Sequence, residues 1–332
     1  MSKSFDLIAI GDVVSDAFIR IRDASVNCDL NTEHCLLSFR FGDKIPYEFV
    51  EVVRAVGNSA NAVVSASRLG LKTAFISDIG SDENGEGCLE ELKQNAVDTT
   101  YITTHSGRET NYHYVLWYED ERTILVKHQE YEYVLPQFET PKWIYLSSLA
   151  ENSLPYQEEI AEYLKGHPEV KLVFQPGTFQ IRLGYKKLQE LYSLSYLFFC
   201  NVDEAKRILS LTEEIEIFPL LKKMRELGPK IMVITDGRKG AYVYDGETAW
   251  FMPTYPDPKP AYERTGAGDA FASTFTSAMI LGKTIPEALS WAPINSMSVV
   301  QEIGAQKGLL TRETLENYLK IAPPDYAPRK IS

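Results

Sequence analysis

The 332-residue chain has few cysteines, no long apolar run and less positive than negative charge. Its four cysteines, Cys28, Cys35, Cys88 and Cys200, form no CxxC pair and no metal-ligand spacing. Read as buried free thiols, they fit a reducing compartment and exclude a disulfide-stapled small scaffold. The first apolar run, Leu7–Ile10, is stopped by Asp12, too soon for the core of a signal peptide. No stretch approaches the roughly 20 apolar residues of a membrane span. Lysine and arginine total 34 against 46 acidic residues, a net charge of −12 that opposes attraction to nucleic acid or to an anionic membrane. Glycine (20) and proline (17) are too few for a low-complexity chain. The expectation is a cytoplasmic protein whose partners are small molecules, with no nucleic acid and no membrane.

What is present is an ordinary globular composition, 44% hydrophobic and 24% charged. A chain this long buries roughly 75% of its unfolded surface without staples. Residues 5–10 read as a buried strand that leaves the sheet at Gly11-Asp12. Residues 59–69 (SANAVVSASRL) carry a small, apolar helical pattern closed by Gly70. Strand signals return at 73–76, Trp143–Leu146, 172–174, 196–199 and 230–235, with helical patterns between them. That alternation predicts an α/β body with a mostly parallel sheet between helices. Two stretches break the rhythm. Residues 17–50 and 111–128 read as strands joined by turns, the second a hairpin about the charged turn at 119–121. They predict a β-sheet lid inserted into a body made of 1–16, 51–110 and 129–332, able to close over a cleft. From 265 onward the pattern is helical, at 267–281, 285–300 and 311–320.

The strongest chemical signal is Thr265-Gly266-Ala267-Gly268-Asp269-Ala270-Phe271, opening one of those helices. Its glycines allow close backbone approach, and the first amides of a helix have no internal partner. With the helix dipole they make an anion site suited to a phosphoryl group in transfer. Asp269 in that first turn can take the proton of an attacking alcohol; the plainer reading is a helix cap with tight packing. Three further segments agree. Asn201-Val202-Asp203-Glu204 follows a strand, where α/β folds bind ligands, with Glu204 suited to magnesium through water and Asn201 to a phosphate oxygen. Thr235-Asp236-Gly237-Arg238-Lys239-Gly240 follows another, as a nucleotide cradle or a plain hairpin loop. Val56-Gly57-Asn58-Ser59-Ala60-Asn61 is a tight turn before a helix, with two amides able to grip hydroxyls.

These four motifs, in this order over roughly residues 5–320, resemble the ribokinase-like, or PfkB, family of sugar and nucleoside kinases. GAGDAF is similar to its C-terminal signature and GNSAN…RLGLKTAFISDIGSDENG to its N-terminal one. The resemblance implies a three-layer αβα sandwich with a mostly parallel central sheet and a small β-sheet lid, which in the family often forms a homodimer contact. It implies ATP as co-substrate and Mg2+. It makes Asp269 the catalytic base, with the amides of Gly266, Ala267 and Gly268 as anion hole. Asn201, Thr235, Gly237, Gly240 and Asn295 fall near the nucleotide and its phosphates, and Glu204 near the magnesium. Asp16, five residues after Gly11, corresponds to the family's diol-binding aspartate, with Gly57, Asn61 and Asn58 completing the sugar pocket.

Four positions depart from the family pattern. Glu263 stands where the family usually has an aspartate of its monovalent-cation loop, which puts potassium activation in doubt. Arg264 beside the anion hole is a candidate fixed charge for the nucleotide phosphates. Val56 replaces a glycine and is expected to narrow the sugar pocket or shift its backbone. Gln175 stands at a strand end where other members often place Asp or Asn. The acceptor stays open between a free sugar and a nucleoside, with a ribose-containing molecule favoured. The lid aromatics Phe39, Phe41, Tyr47, Tyr112, Tyr114 and Trp117 are candidates for a base slot, and Arg40, Lys44, Arg54 and Arg108 for a phosphosugar clamp. The competing readings are a nucleoside kinase of adenosine-kinase type and a non-catalytic sugar or nucleotide sensor. A dehydrogenase is not supported, because GDVVSD rather than GxGxxG follows the first strand.

Overall fold

The computed structural model describes residues 4–28, 35–119 and 121–332. Leu7–Ile10, buried on both faces, lies inside a ten-stranded sheet with Thr73–Gly80 on one side and Trp143–Leu146 on the other, both parallel to it. Lys171–Phe174, Ser195–Asn201 and Ile231–Thr235 continue the parallel run. Ile102–His105 closes one edge in parallel, while Ala241–Tyr244, Ala249–Met252 and Arg329–Lys330 turn the other edge antiparallel. The central strands are continuous apolar runs because helices cover both faces. One face packs on the helices Asn58–Arg68, Ala267–Ile280 and Ile285–Val299 through Phe75, Phe275 and Trp291. The other packs on Leu154–Gly166, Tyr185–Leu194 and Ile217–Glu226 through Ile160, Leu188 and Leu221. This is the expected three-layer α/β body.

A separate four-stranded sheet runs in the order Tyr47–Val56, Val14–Ile21, Asn111–Tyr118, Glu121–Leu125. Val14–Ile21 pairs in parallel with Asn111–Tyr118 and antiparallel with Tyr47–Val56. Its strands start at Val14 and run on to Val56, past the 17–50 edges read from the sequence, so Asp16 is a lid residue. One face seats Phe18, Val115 and Trp117 on Ile303 of the body.

The cysteine reading needs correction. Cys28 and Cys35 are disulfide-bonded, facing each other across the hairpin made by Ser25–Cys28 and Cys35–Ser38 with their Cα atoms 4.0 Å apart. Spacing alone hides this, because the hairpin register is what brings them together. The pair therefore gives no support to a reducing compartment. Cys88 and Cys200 are buried free thiols, and burial pushes both up from the ordinary thiol value, away from nucleophilic use. No helix among the described residues is long and apolar enough to cross a membrane.

The helix Ala267–Ile280 is the centre of the packing. Nine of its residues, Ala270 to Ala278, are buried, and small side chains let it lie close to its neighbours on both sides. Phe275 is fully buried against Phe199, with ring centroids 5.7 Å apart. Phe275→Ala is expected to cost about 3–5 kcal/mol through lost contacts and a cavity. Urea unfolding measures it; a midpoint equal to wild type would contradict this packing.

Candidate active site

Gly266 ends its turn at φ 81°, a left-handed conformation that glycine adopts without strain. A Cβ there would lie 2.3 Å from the Ala305 Cβ, so the turn has no room for another residue. The first full-turn bond of the helix runs from the Ala270 amide to the Gly266 carbonyl at 2.8 Å, and no described side chain caps this end. The amides of Gly268 and Asp269 precede that bond, while Ala267 donates to the Arg264 carbonyl at 3.5 Å. The result is an uncapped, dipole-positive helix end opening on a cavity.

Asp269 points into this cavity, gripped by three side-chain amides. Asn61 donates to Oδ2 at 2.7 Å, while Asn58 and Gln175 donate to Oδ1 at 3.0 and 3.1 Å. The helix Asn58–Arg68 delivers both asparagines because Gly57, its N-cap, takes φ 108° and passes tightly over the Asp12 carbonyl. Gln306 fixes Asn61 from behind, donating to its Oδ1 at 3.0 Å. Burial raises the Asp269 carboxyl above its ordinary value, while Asn61, Gln175, Asn58 and the Arg122 guanidinium pull it back. A carboxylate raised in this way binds a proton more readily than a solvated aspartate.

Two cavities meet at this helix end. One, about 370 Å³, is lined by Asp16, Gly57, Asn58, Asn61, His113 and His128 on one side and by Asn201, Glu204 and Asp269 on the other. Phe179, Ile124 and Val126 add apolar surface to it. The other, about 250 Å³, is mostly apolar. Thr235, Gly237 and Gly240 line it together with Tyr255, Pro293 and Met297. Thr235, Arg264, Ala267 and Gly268 line both. Pro293, inside the helix Ile285–Val299, leaves a gap in the helical bonding just where that helix faces the second cavity.

The structure brings most of the sequence-derived residues together at this junction and places several elsewhere. Asn295 is fully buried away from either cavity, donating to Thr274 Oγ1 at 2.8 Å and accepting from the Leu310 amide at 2.9 Å. Its helical neighbours Ser296 and Met297 take the cavity wall instead, a rotation of one residue that a motif match cannot resolve. Val56 is buried and outside the cavity lining, where Val14 stands. The lid aromatics are also misplaced: Phe41, Tyr47 and Tyr114 are exposed, and Trp117 packs on Tyr262. None of Arg40, Lys44, Arg54 and Arg108 lines the acceptor cavity.

Asn201 and Glu204 form a reciprocal helix cap, Asn201 Oδ1 accepting from the Glu204 amide and Glu204 Oε2 from the Asn201 amide, at 2.8 and 2.9 Å. They also line the cavity, so the structural and functional readings hold together. Burial raises the Glu204 carboxyl, and the Asp269 charge adds to that rise. Buried Glu263 accepts from the Thr265 amide and hydroxyl at 2.8 and 2.6 Å and faces Arg122 Nε at 3.7 Å. The sequence reading missed Arg122, His113 and His128. Arg122 sits in a charged hairpin turn that looks solvated. The histidines left a trace, since two of the chain's five lie in that single hairpin.

An uncapped helix end, a half-buried carboxylate held by three amides and two adjoining cavities meet at one place. The model of the pfkB family of carbohydrate kinases matches residues 23–312, and the chain belongs to that family. The ribokinase of Haemophilus influenzae is 29% identical over 282 residues, 78% of this chain and 86% of that protein. The nucleoside kinase of Methanothermobacter thermautotrophicus is 23% identical over 313 residues, 93% and 94% of the two chains. In fold, the chain matches the solved Arabidopsis thaliana ribokinase with a TM-score of 0.76 at 20% identity, covering 96% of this chain and 99% of that one. The protein is a kinase of sugars or nucleosides.

The raised Asp269 carboxyl has a cost in stability. An acid whose folded-state pKa exceeds its unfolded value weakens the fold above the unfolded value, and the penalty lifts as pH falls. Wild type is expected to gain stability relative to Asp269→Asn as pH falls from neutral into mild acid. Scanning calorimetry at neutral and mildly acid pH decides; a difference between the two proteins that does not move with pH contradicts the argument.

Proposed function

We propose that the chain transfers the terminal phosphoryl group of ATP to an alcohol of a ribose-containing acceptor, free sugar or nucleoside. The observation that carries this reading is the place of Asp269, at the junction of a cavity walled by carboxylates, amides and histidines and an apolar groove. The groove suits adenine, with Thr235, Gly237 and Gly240 along its edge. The solved Arabidopsis protein is described with ribose and ATP. Asp16, nine-tenths buried and lining the cavity, suits a pair of sugar hydroxyls, since a carboxylate accepts from two at once. The apolar surface of Ile124, Val126 and Phe179 favours a nucleoside, because a base needs such a wall.

In this account Asp269 accepts the proton of the alcohol as that oxygen attacks the phosphorus in line. The amides at Gly266–Gly268 hold the charge that develops on the transferred group. Asn58, Asn61 and Gln175 keep the carboxylate aimed. Arg264, on the wall of both cavities, adds a fixed positive charge toward the phosphates. Glu204 fits a Mg2+ ion held through water. It is a lone carboxylate beside the anion hole, raised in part by Asp269, so a cation there relieves both. Magnesium, when bound, neutralises phosphate charge. Arg122 supplies the charge facing Glu263, so the loop is balanced from within the protein.

The face of the lid turned from the body presents apolar rows, Val52–Ala17–Tyr114–Leu125 and Val50–Ile19–Leu116, with Val50, Val52, Tyr114 and Leu125 exposed. A second copy offering the same rows makes a self-complementary homodimer contact. Sedimentation equilibrium is expected to give a dimer for wild type and a monomer for Val52→Glu/Tyr114→Glu; a monomeric wild type contradicts it.

The activity itself is tested by ADP release with ATP and Mg2+ against ribose, fructose, 2-keto-3-deoxygluconate, fructose 6-phosphate, adenosine, cytidine, guanosine and inosine. Turnover is expected on ribose or on nucleosides, with kcat lowered at least about 100-fold in Asp269→Asn. Near-normal turnover in that variant removes Asp269 as the base, and silence of wild type on every acceptor removes the kinase reading.

A further inference from the structure

We propose that His113 is a specificity-determining residue of the acceptor site, reading one hydroxyl of a vicinal diol whose other hydroxyl is held by Asp16. This rests on the kinase reading above and narrows its acceptor to molecules with adjacent free hydroxyls.

The two residues are register partners on the adjacent lid strands Val14–Ile21 and Asn111–Tyr118. Their side chains leave the same face and both line the acceptor cavity, with His113 Nδ1 3.3 Å from Asp16 Oδ1. That approach does not complete a hydrogen bond for either group. Asp16 Oδ1 and His113 Nε2 are both buried without a hydrogen-bond partner. Folded proteins leave few buried polar atoms unpaired, and such atoms in a cavity wall are completed by what the cavity binds.

The chemistry of the pair selects the partner. A carboxylate only accepts, whereas an imidazole nitrogen accepts or donates according to its proton. Adjacent hydroxyls satisfy both together: one donates to Asp16, and the other meets the imidazole of His113. Single alcohols leave one of the two buried groups unpaired.

His113 is held from behind. Its ring lies 5.2 Å from that of His128, which is locked in turn by Asp12. His128 Nδ1 is 2.6 Å from Asp12 Oδ2, and the Tyr133 hydroxyl donates to Asp12 Oδ1 at 2.9 Å. Because the carboxylate accepts both bonds, the proton sits on His128 Nδ1 and the ring cannot turn freely. Phe179 meets the other side of His128 edge-on at 5.4 Å. His113 thus stands against a fixed wall, and a reader held in this way discriminates by geometry as well as by charge.

The test compares ribose with 2-deoxyribose and adenosine with 2′-deoxyadenosine in wild type, His113→Phe and His113→Gln. ADP release gives kcat and KM, and calorimetric titration gives binding without turnover. Wild type is expected to prefer the diol member of a pair by at least about 100-fold in kcat/KM, as sites built to bond a hydroxyl do. In His113→Phe the ratio should fall toward one, through a higher acceptor KM, with the KM for ATP unmoved. His113→Gln, which keeps a donor and an acceptor, should recover part of the preference. An unchanged ratio in His113→Phe, with wild type turning over, overturns this inference and leaves the kinase reading standing. Absence of both turnover and binding for all four acceptors in wild type overturns the ribose reading and the inference with it.

Discussion

The helix Ala267–Ile280 begins without a cap, and the rest of the molecule is built to keep that end open and usable. An uncapped helix end leaves its first amides to be satisfied by solvent or by a ligand. Here the Gly266 turn, wedged against Ala305, holds the amides at the junction of two cavities. The helix body is made of small residues so that it can sit between two other helices on one face of the sheet. Its serines bond back to their own helix, Ser277 to the Ser273 carbonyl at 2.7 Å, which keeps polar groups satisfied inside the core.

The aspartate beside that end is the second constraint. A carboxylate in such a place is raised by burial, and the fold answers with three amides instead of a cation in direct contact. Amides hold the group in position while leaving its proton affinity high, which a tight arginine pair would not do. A positive charge that lowers the Asp269 carboxyl comes from the lid, through Arg122, which also faces Glu263. Glu121 of the same turn reaches Arg264 of the body at 3.6 Å. The lid therefore supplies one wall of the larger cavity and two charge contacts beside the Gly266 turn, all from one small sheet.

Much of this was legible in the sequence. Alternating apolar runs and helical patterns gave the parallel body, because strands covered on both faces have to be apolar throughout. The lid strands were readable as turn-linked β segments, although their ends were not, since Val14 and Val56 continue strands whose outer residues face the body. The glycine-rich turns mark backbone positions that other residues cannot occupy, and so Gly57 and Gly266 fell where the structure places them. Side-chain direction was harder. Asn295 lies one helical position away from the residues that line the groove, a rotation that a motif does not encode. The lid aromatics looked like a base slot, yet strand alternation sends Tyr114 outward and His113 inward. Arg122 resembled a solvated turn charge, and the Cys28–Cys35 pairing depends on a hairpin register.

The central claim is that Asp269 stands between an acceptor alcohol and a phosphoryl group seated on the Gly266–Gly268 turn. A crystal structure of the protein with a non-hydrolysable ATP analogue and an acceptor that it phosphorylates tests this most directly. The account requires the reacting hydroxyl within hydrogen-bond reach of an Asp269 carboxylate oxygen, and the terminal phosphoryl on the amides of that turn. Both ligands bound with the reacting hydroxyl away from Asp269, or with the phosphoryl group away from the helix end, would contradict it.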